Sequence, residues 1–407
     1  MFRQIPVRRE VFGGGENLLV CGDVMELPEE IRALAGCVQC VYVDPPFMTG
    51  ERFTRSRPFG TRGWKTGSPA PKYPAFEDRY EDEAAYLELL NRLVSGAWEL
   101  LGKTGVFYLH LDWRMAARAR LACDRIFGKE GFLNEIIWAY ESGGRSKRYF
   151  PRKHDGILLY AKSGKYKFDL TRVPLPRGSE RKNHMARGVD EQGRPYSKIV
   201  SGGKEYRYYD DDPVYPGDVW TDISHLQQRD PERTGYATQK PVRLLERLLL
   251  PVTNEGDWVV DLCCGSGTTL EAAQRLGCRF AGLDRNPEAV AVTLSRLKAE
   301  NLTVICDTSL DQAALRIRED PTEGSFSLEG LEAEHPSFPE NAAAADAIEA
   351  WETGTLEEGV FRAERRFCRS FRYPELTTTL RTDPRAIDAV MVTDAAGRRR
   401  AYGRKGS

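Results

Sequence analysis

The residues best suited to chemistry fall in two short clusters. The first is Val41-Tyr42-Val43-Asp44-Pro45-Pro46-Phe47. Two consecutive prolines can neither extend a strand nor donate amide hydrogen bonds, so they turn the chain out of a sheet and stiffen the turn. Asp44 and Phe47 then stand on a rigid loop, an acceptor beside an aromatic face. That pair suits a planar base with an amino group. Asp44 and the Pro45 carbonyl can accept its two N–H bonds and Phe47 can stack on the ring, leaving nitrogen electron density for an electrophile. Taken alone, the same four residues also fit an ordinary strand-ending turn with a core phenylalanine.

The second cluster spans residues 258–286. An apolar strand from Trp258 to Leu262 runs into a glycine turn with Gly265 and Gly267, which opens onto a helix from Thr268. Glycines there tolerate unusual dihedrals and let backbone amides approach a ligand. A second strand, Arg279 to Leu283, delivers Asp284, a carboxylate placed to accept from two ribose hydroxyls. The dinucleotide pattern Gly-x-Gly-x-x-Gly is not completed, because position 270 is Leu, and no Walker lysine follows. A nucleoside cofactor without a pyrophosphate remains, S-adenosylmethionine being the common one, beside a bare tight turn.

The elements that must carry these clusters alternate. Strands are expected at 17–20, 40–43, 106–111, 134–139, 154–161, 258–262 and 279–283. Helices are expected at 28–34, 84–101, 115–127, 241–250, 268–276 and 287–300. This is the rhythm of a parallel α/β sheet, in which both clusters sit at the carboxyl edge. From 141 to about 233 the pattern breaks into Gly, Pro, Tyr and basic residues, which reads as an insertion. A hairpin is expected at 387–402.

Asp44-Pro45-Pro46-Phe47, then Ala237-Thr238-Gln239-Lys240-Pro241, then Asp261-x-x-x-Gly265-Ser266-Gly267-Thr268-Thr269, in this order, resembles the β class of DNA amino-methyltransferases. The resemblance covers roughly residues 16–300. It implies a Rossmann-like seven-stranded sheet with an inserted target-recognition region and a small C-terminal appendage. S-adenosylmethionine is then held by Asp261, Cys263, Gly265, Ser266, Gly267, Thr268 and Asp284. Thr238, Gln239 and Lys240 match the segment closing over its methionine end, and Asp23 offers a carboxylate to its adenine. Asp44, Pro45, Pro46 and Phe47 become the catalytic loop, receiving a base flipped out of duplex DNA. Leu262-Cys263 stand where the family more usually has Pro-Phe.

The implied domains are 1–140 and 236–300 as catalytic and cofactor halves, 141–235 as target recognition, and 301–407 as an acidic linker with an accessory region. Adenine N6 is the expected target, since Ser usually replaces the first motif residue in cytosine-N4 enzymes. Homodimerisation stays open, as does a role as modification subunit of a restriction or defence complex docked through the C-terminal region.

Charge agrees with a polyanion partner. The chain is nearly neutral overall, but residues 141–210 carry 17 Lys and Arg against 8 Asp and Glu, and residues 301–360 carry 2 against 14. Arg145, Lys147, Arg148, Arg152 and Lys153, beside Trp138 and Tyr140, are the expected DNA contacts. Arg52, Arg55, Arg57, Arg62 and Lys65 either close over DNA or lie in a disordered loop. His110, Asp112 and His154 read as structural. Nine cysteines include one CxxC, Cys37 to Cys40, without a second pair, so no metal is expected. No run approaches the roughly 18 apolar residues of a membrane span, and the first residues lack an apolar signal stretch, which points to the cytoplasm.

Overall fold

A computed structural model describes residues 2–141, 146–176, 185–227, 230–297, 301–340, 342–370 and 372–404. Its spine is a mixed sheet of fifteen strands among the described residues. Six neighbours run parallel, in the order Leu302–Ile305, Asn17–Cys21, Arg279–Asp284, Trp258–Asp261, Val38–Val43 and Leu101–Leu111. His154–Ala161 and then Phe132–Ala139 continue it antiparallel.

All six residues of Val38–Val43 are buried, the signature of a parallel strand covered on both faces. One face is covered by helices Val242–Leu249, Thr268–Arg275 and Pro287–Arg296. The other is covered by Glu83–Leu100 and Ala116–Phe127. Glu83–Leu100 begins where Asp82 accepts the amide of Ala85, and it buries Tyr86, Leu90, Leu93, Val94, Ala97 and Leu100 at helical spacing. Truncating Leu93, fully buried there, removes about 2–5 kcal/mol.

From Trp258–Asp261 the chain passes over one face to Arg279–Asp284, and from Val38–Val43 over the other to Leu101–Leu111. The strand order therefore reverses between two adjacent strands, which opens a crevice at their carboxyl ends. Asp261 lies opposite Tyr42 in the register, so the loop beginning at Asp44 and the turn beginning at Leu262 leave the sheet side by side.

The sheet does not stop at seven strands. Arg9–Phe12 pairs with Leu302–Ile305 and, on its other side, with Val360–Cys368. That edge is thereby closed to foreign strands and extended by Ile348–Glu357, Ala389–Asp394, Arg399–Arg404 and Phe2–Ile5. The stretch read as an acidic linker is folded, with strands at Ala314–Asp320, Ser325–Glu332 and Ile348–Glu357. Its carboxylates meet the arginines of the tail, Asp311 with Arg400, Glu319 with Arg404 and Glu352 with Arg366, and within the stretch Glu332 meets Arg316. Trp351, Phe326, Val390 and Tyr402 form a second core there. The expected hairpin is Ala389–Asp394 with Arg399–Arg404.

The insertion also contributes to the main sheet, through His154–Ala161 and Val219–Trp220. Its remaining strands, Ala186–Val189, Pro195–Ser201 and Lys204–Tyr209, form a separate antiparallel sheet. No helix among the described residues is long and apolar enough to cross a membrane.

Candidate active site

The crevice is a cavity of about 560 Å³, within the range that holds a cofactor-sized ligand. Asp44, Pro45, Pro46 and Phe47 line one end. Asp23, Thr238, Gln239, Lys240, Asp261, Cys263, Gly265, Ser266, Thr268 and Asp284 line the rest. Gly267 stands just behind the wall, at φ +76°, where an added Cβ would come within 2.6 Å of Thr293 Cγ2. Residues far apart in the sequence thus share one cavity.

The loop from Asp44 to Thr49 is clamped from below. The carboxylate of Asp78 accepts the amides of Phe47 (3.1 Å), Met48 (2.8 Å) and Thr49 (2.8 Å) and the Thr49 hydroxyl (2.7 Å). This holds Met48 in the left-handed region at φ +58°, a conformation that costs a non-glycine residue about 1–2 kcal/mol. The Tyr86 hydroxyl donates to the Pro46 carbonyl at 2.6 Å, leaving the Pro45 carbonyl without that partner.

Phe47 stacks on His110, centroids 6.2 Å apart. His110 is fully buried, its Nε2 3.1 Å from Asp155 Oδ2 and its Nδ1 2.8 Å from the Tyr42 hydroxyl. An ionised Asp155 accepts from Nε2–H, which leaves Nδ1 to accept from Tyr42. Burial raises the Asp155 carboxyl, but the His110 hydrogen bond, Lys240 and Tyr140 together hold it below the ordinary carboxylate range. His110 is therefore a structural support, now located directly beneath the expected base platform.

Lys240 Nζ lies 2.6 Å from Asp44 Oδ2 and 5.0 Å from the centre of the Phe47 ring. Asp44 Oδ1 is buried without a hydrogen-bond partner. The sequence reading put Lys240 at the cofactor; it lines the shared cavity, and its ammonium meets the Asp44 carboxylate.

At the glycine turn, Asp284 accepts the amides of Gly265 (2.8 Å) and Asn286 (2.9 Å). Burial lifts its carboxyl above the ordinary range, with those amides and Arg285 opposing. Asp261 accepts the Cys263 amide at 3.0 Å, and burial pushes its carboxyl up to about 7. Gly265 takes φ +50° and its carbonyl accepts the Thr293 hydroxyl at 2.9 Å. Thr268 donates to the Lys240 carbonyl at 3.2 Å. Gln239 spends its side chain on its own loop, accepting from Thr234 and donating to the Glu232 carbonyl at 2.8 Å. Asp23 accepts the Met25 amide at 2.9 Å. Phe53, Phe76 and Tyr236 add stacked rings to the cavity wall.

Because His154–Ala161 runs antiparallel to Leu101–Leu111, the loop before it emerges at the same edge as Asp44. Lys147, Arg148 and Arg152 are exposed there, and Lys153 is half-buried, donating to the Glu141 carbonyl. The Arg152 guanidinium lies 3.6 Å from the Trp113 ring centre and 4.9 Å from that of Tyr149. Arg145 lies outside the described residues. For the loop after Phe47, the disordered alternative is corrected. Arg52, Arg55, Arg57 and Lys65 pair with Glu77, Glu288, Glu349 and Glu375. Arg55 and Arg57 are buried, so they tie the hairpin Arg52–Ser56 and Lys72–Glu77 to its neighbours.

Among the described residues no cluster of three or more His, Cys, Asp or Glu could hold a metal ion. Cys37 is exposed while Cys40 is buried in its strand.

A model of the DNA methylase family matches residues 38–295. M2.LlaDCHI, a Type II methyltransferase of Lactococcus lactis subsp. cremoris, is 41% identical over 69% of this chain and 88% of its own length. The DNA adenine methyltransferase YhdJ of Escherichia coli is 26% identical over 70% of this chain and 84% of its own. The Type II methyltransferase M.EcaI of Enterobacter cloacae is 27% identical over 63% of this chain, which spans 64% of that protein.

Proposed function

This chain belongs to the DNA methylase family, and from that premise we propose that it methylates adenine N6 in duplex DNA, with S-adenosylmethionine as donor and the target base turned out of the stack. The observation that carries the reading is the buried, unpartnered Oδ1 of Asp44 in the same cavity as the Gly265 turn. A buried acceptor left unused is costly unless a ligand supplies its donor.

The cavity chemistry fits the donor. Asp284 and Asp23 each retain acceptor capacity beyond the amides they hold. The positive φ of Gly265 and Gly267 shapes the turn, and Phe53, Phe76 and Tyr236 offer flat apolar faces. The bound donor supplies an electrophilic methyl group on a sulfonium. The protein's part is positioning: Asp44 and the Pro45 carbonyl accept the two N–H bonds of the amino group, and Phe47, braced by His110, stacks on the ring. Turning the base out costs a few kcal/mol of stacking and pairing, which these contacts offset in part. Lys147, Arg148, Arg152 and Lys153 meet backbone phosphates beside the crevice.

Adenine is favoured by Asp at the first motif position and by the likeness to YhdJ. The likeness to Type II methyltransferases supports a place on the modification side of a restriction–modification pair. Sedimentation of the purified chain, alone and with a candidate nuclease, reads homodimer and partner directly.

The test is Asp44→Asn, which keeps shape and volume. Calorimetric donor binding is expected to stay near wild type, while methyl incorporation into unmethylated DNA falls by about 100-fold or more. Near-normal turnover removes Asp44 from the reaction.

A further inference from the structure

The contact that joins the two halves of the site is the pair between Lys240 and Asp44. Both side chains are largely enclosed, at 10% and 18% exposure. An ionised carboxylate accepts at both oxygens, and here the two have different fates. Oδ2 is taken by the ammonium at 2.6 Å, while Oδ1 is shielded from water and unspent. An aspartate carboxylate turns broadly about its last torsion; a strong ionic bond to one oxygen fixes where the other stands.

The lysine is itself fixed, and by the cofactor half. Its carbonyl accepts the Thr268 hydroxyl at the head of the glycine-turn helix. Two residues on, the Val242 amide is held by the Glu232 carboxylate at 2.8 Å, which also pairs with Arg296 at 3.0 Å. The backbone carrying Lys240 is thus tied to the turn at Gly265, and its side chain reaches the acceptor on the other loop.

We propose that Lys240 is a positioning residue: by holding Asp44 Oδ2 it keeps the carboxylate in the rotamer that leaves Oδ1 for the amino group of the base, and it registers the catalytic loop against the cofactor turn. This rests on Asp44 being the amino-group acceptor. Lys240 acts through Asp44, so its loss falls on the transfer step and not on the binding of either substrate.

The experiment compares the full-length wild type with Lys240→Met, Lys240→Arg and Asp44→Asn. Tritiated S-adenosylmethionine and unmethylated duplex DNA serve for steady-state rates, calorimetry for donor affinity, and thermal melting for folding. Lys240→Met is expected to lose about 100-fold in kcat while the donor Kd and the KM for DNA stay within about threefold. Lys240→Arg, still able to pair with a carboxylate, is expected to recover at least about a tenth of the wild-type rate. Where Lys240→Met fails to fold, Lys240→Gln, one atom shorter and with a donor but no charge, carries the same comparison. A weakened donor Kd with kcat intact overturns the proposal, because the lysine then serves the cofactor. A lowered KM for DNA with kcat intact also overturns it, because the lysine then competes with the base. An active Asp44→Asn variant instead defeats the underlying reading of Asp44, whatever Lys240 does.

Discussion

Asp78 offers the sharpest quantitative test of how the loop after Asp44 is held. Its carboxylate receives three amides and one hydroxyl from Phe47, Met48 and Thr49, and the residue is almost wholly buried. At the lower end for bonds to an ionised acceptor, about 1.5 kcal/mol each, four bonds outweigh the left-handed strain at Met48, about 1–2 kcal/mol, by about 4 kcal/mol. Asp78→Ala leaves three amides without an acceptor and releases the strain, so the loop loses its single conformation. Phe47 then no longer presents a fixed face. We expect kcat to fall by about 100-fold, with donor affinity within a fewfold of wild type. Asp78→Asn, with one acceptor oxygen in place of two, is expected to fall between. Amide exchange at residues 46–50 reads the loop directly and should rise in both variants. Wild-type turnover in Asp78→Ala, or exchange unchanged there, refutes the clamp.

Two further outcomes follow from the cofactor side. Gly267→Ala places a Cβ within 2.6 Å of Thr293 Cγ2 at φ +76°. The left-handed penalty alone is about 1–2 kcal/mol, so calorimetry should show the donor bound about tenfold or more weaker, and unchanged affinity contradicts the reading of that turn. Asp261 titrates near 7 in the folded chain against an ordinary value of 3.8. Between those values the folded state holds a proton that the unfolded state has released, so stability falls as pH rises from about 4 to about 7. Three pH units correspond to at most about 4 kcal/mol. Asp261→Asn lacks this slope, and its melting temperature should gain on wild type between pH 5 and pH 8; a difference flat across that range contradicts the assignment.

Where a loop is written in consecutive residues, its placement was legible in the sequence. The run Val38–Val43 into two prolines, and the run Trp258–Asp261 into two glycines, announce both loops, and alternation of strand and helix places them on one edge. The helix at Glu83–Leu100 and the final hairpin were legible by periodicity. What escaped is made by distance along the chain. Asp78 grips Phe47 from 31 positions away, and Lys240 reaches Asp44 across 196; no local pattern marks either contact. His110 was dismissed because a lone histidine carries no sign of the Phe47 ring above it. The acidic stretch was misread as a linker because its carboxylates are answered by arginines in the tail, such as Arg400 to Asp311. Tyr236, adjacent to the Thr238–Lys240 motif, was an omission with a nearby signal.

The central claim is that Asp44 and the Gly265 turn form one site where a base amino nitrogen meets a methyl donor. It is tested most directly by incubating the protein with S-adenosylmethionine carrying a deuterated methyl group and unmethylated duplex DNA, then digesting the DNA and measuring the nucleosides by mass spectrometry. The account predicts deuterated N6-methyladenine from wild type and none from Asp44→Asn. Deuterated N4-methylcytosine alone would move the target while leaving the site intact. No labelled nucleoside at all, from a folded protein that binds the donor, would contradict it.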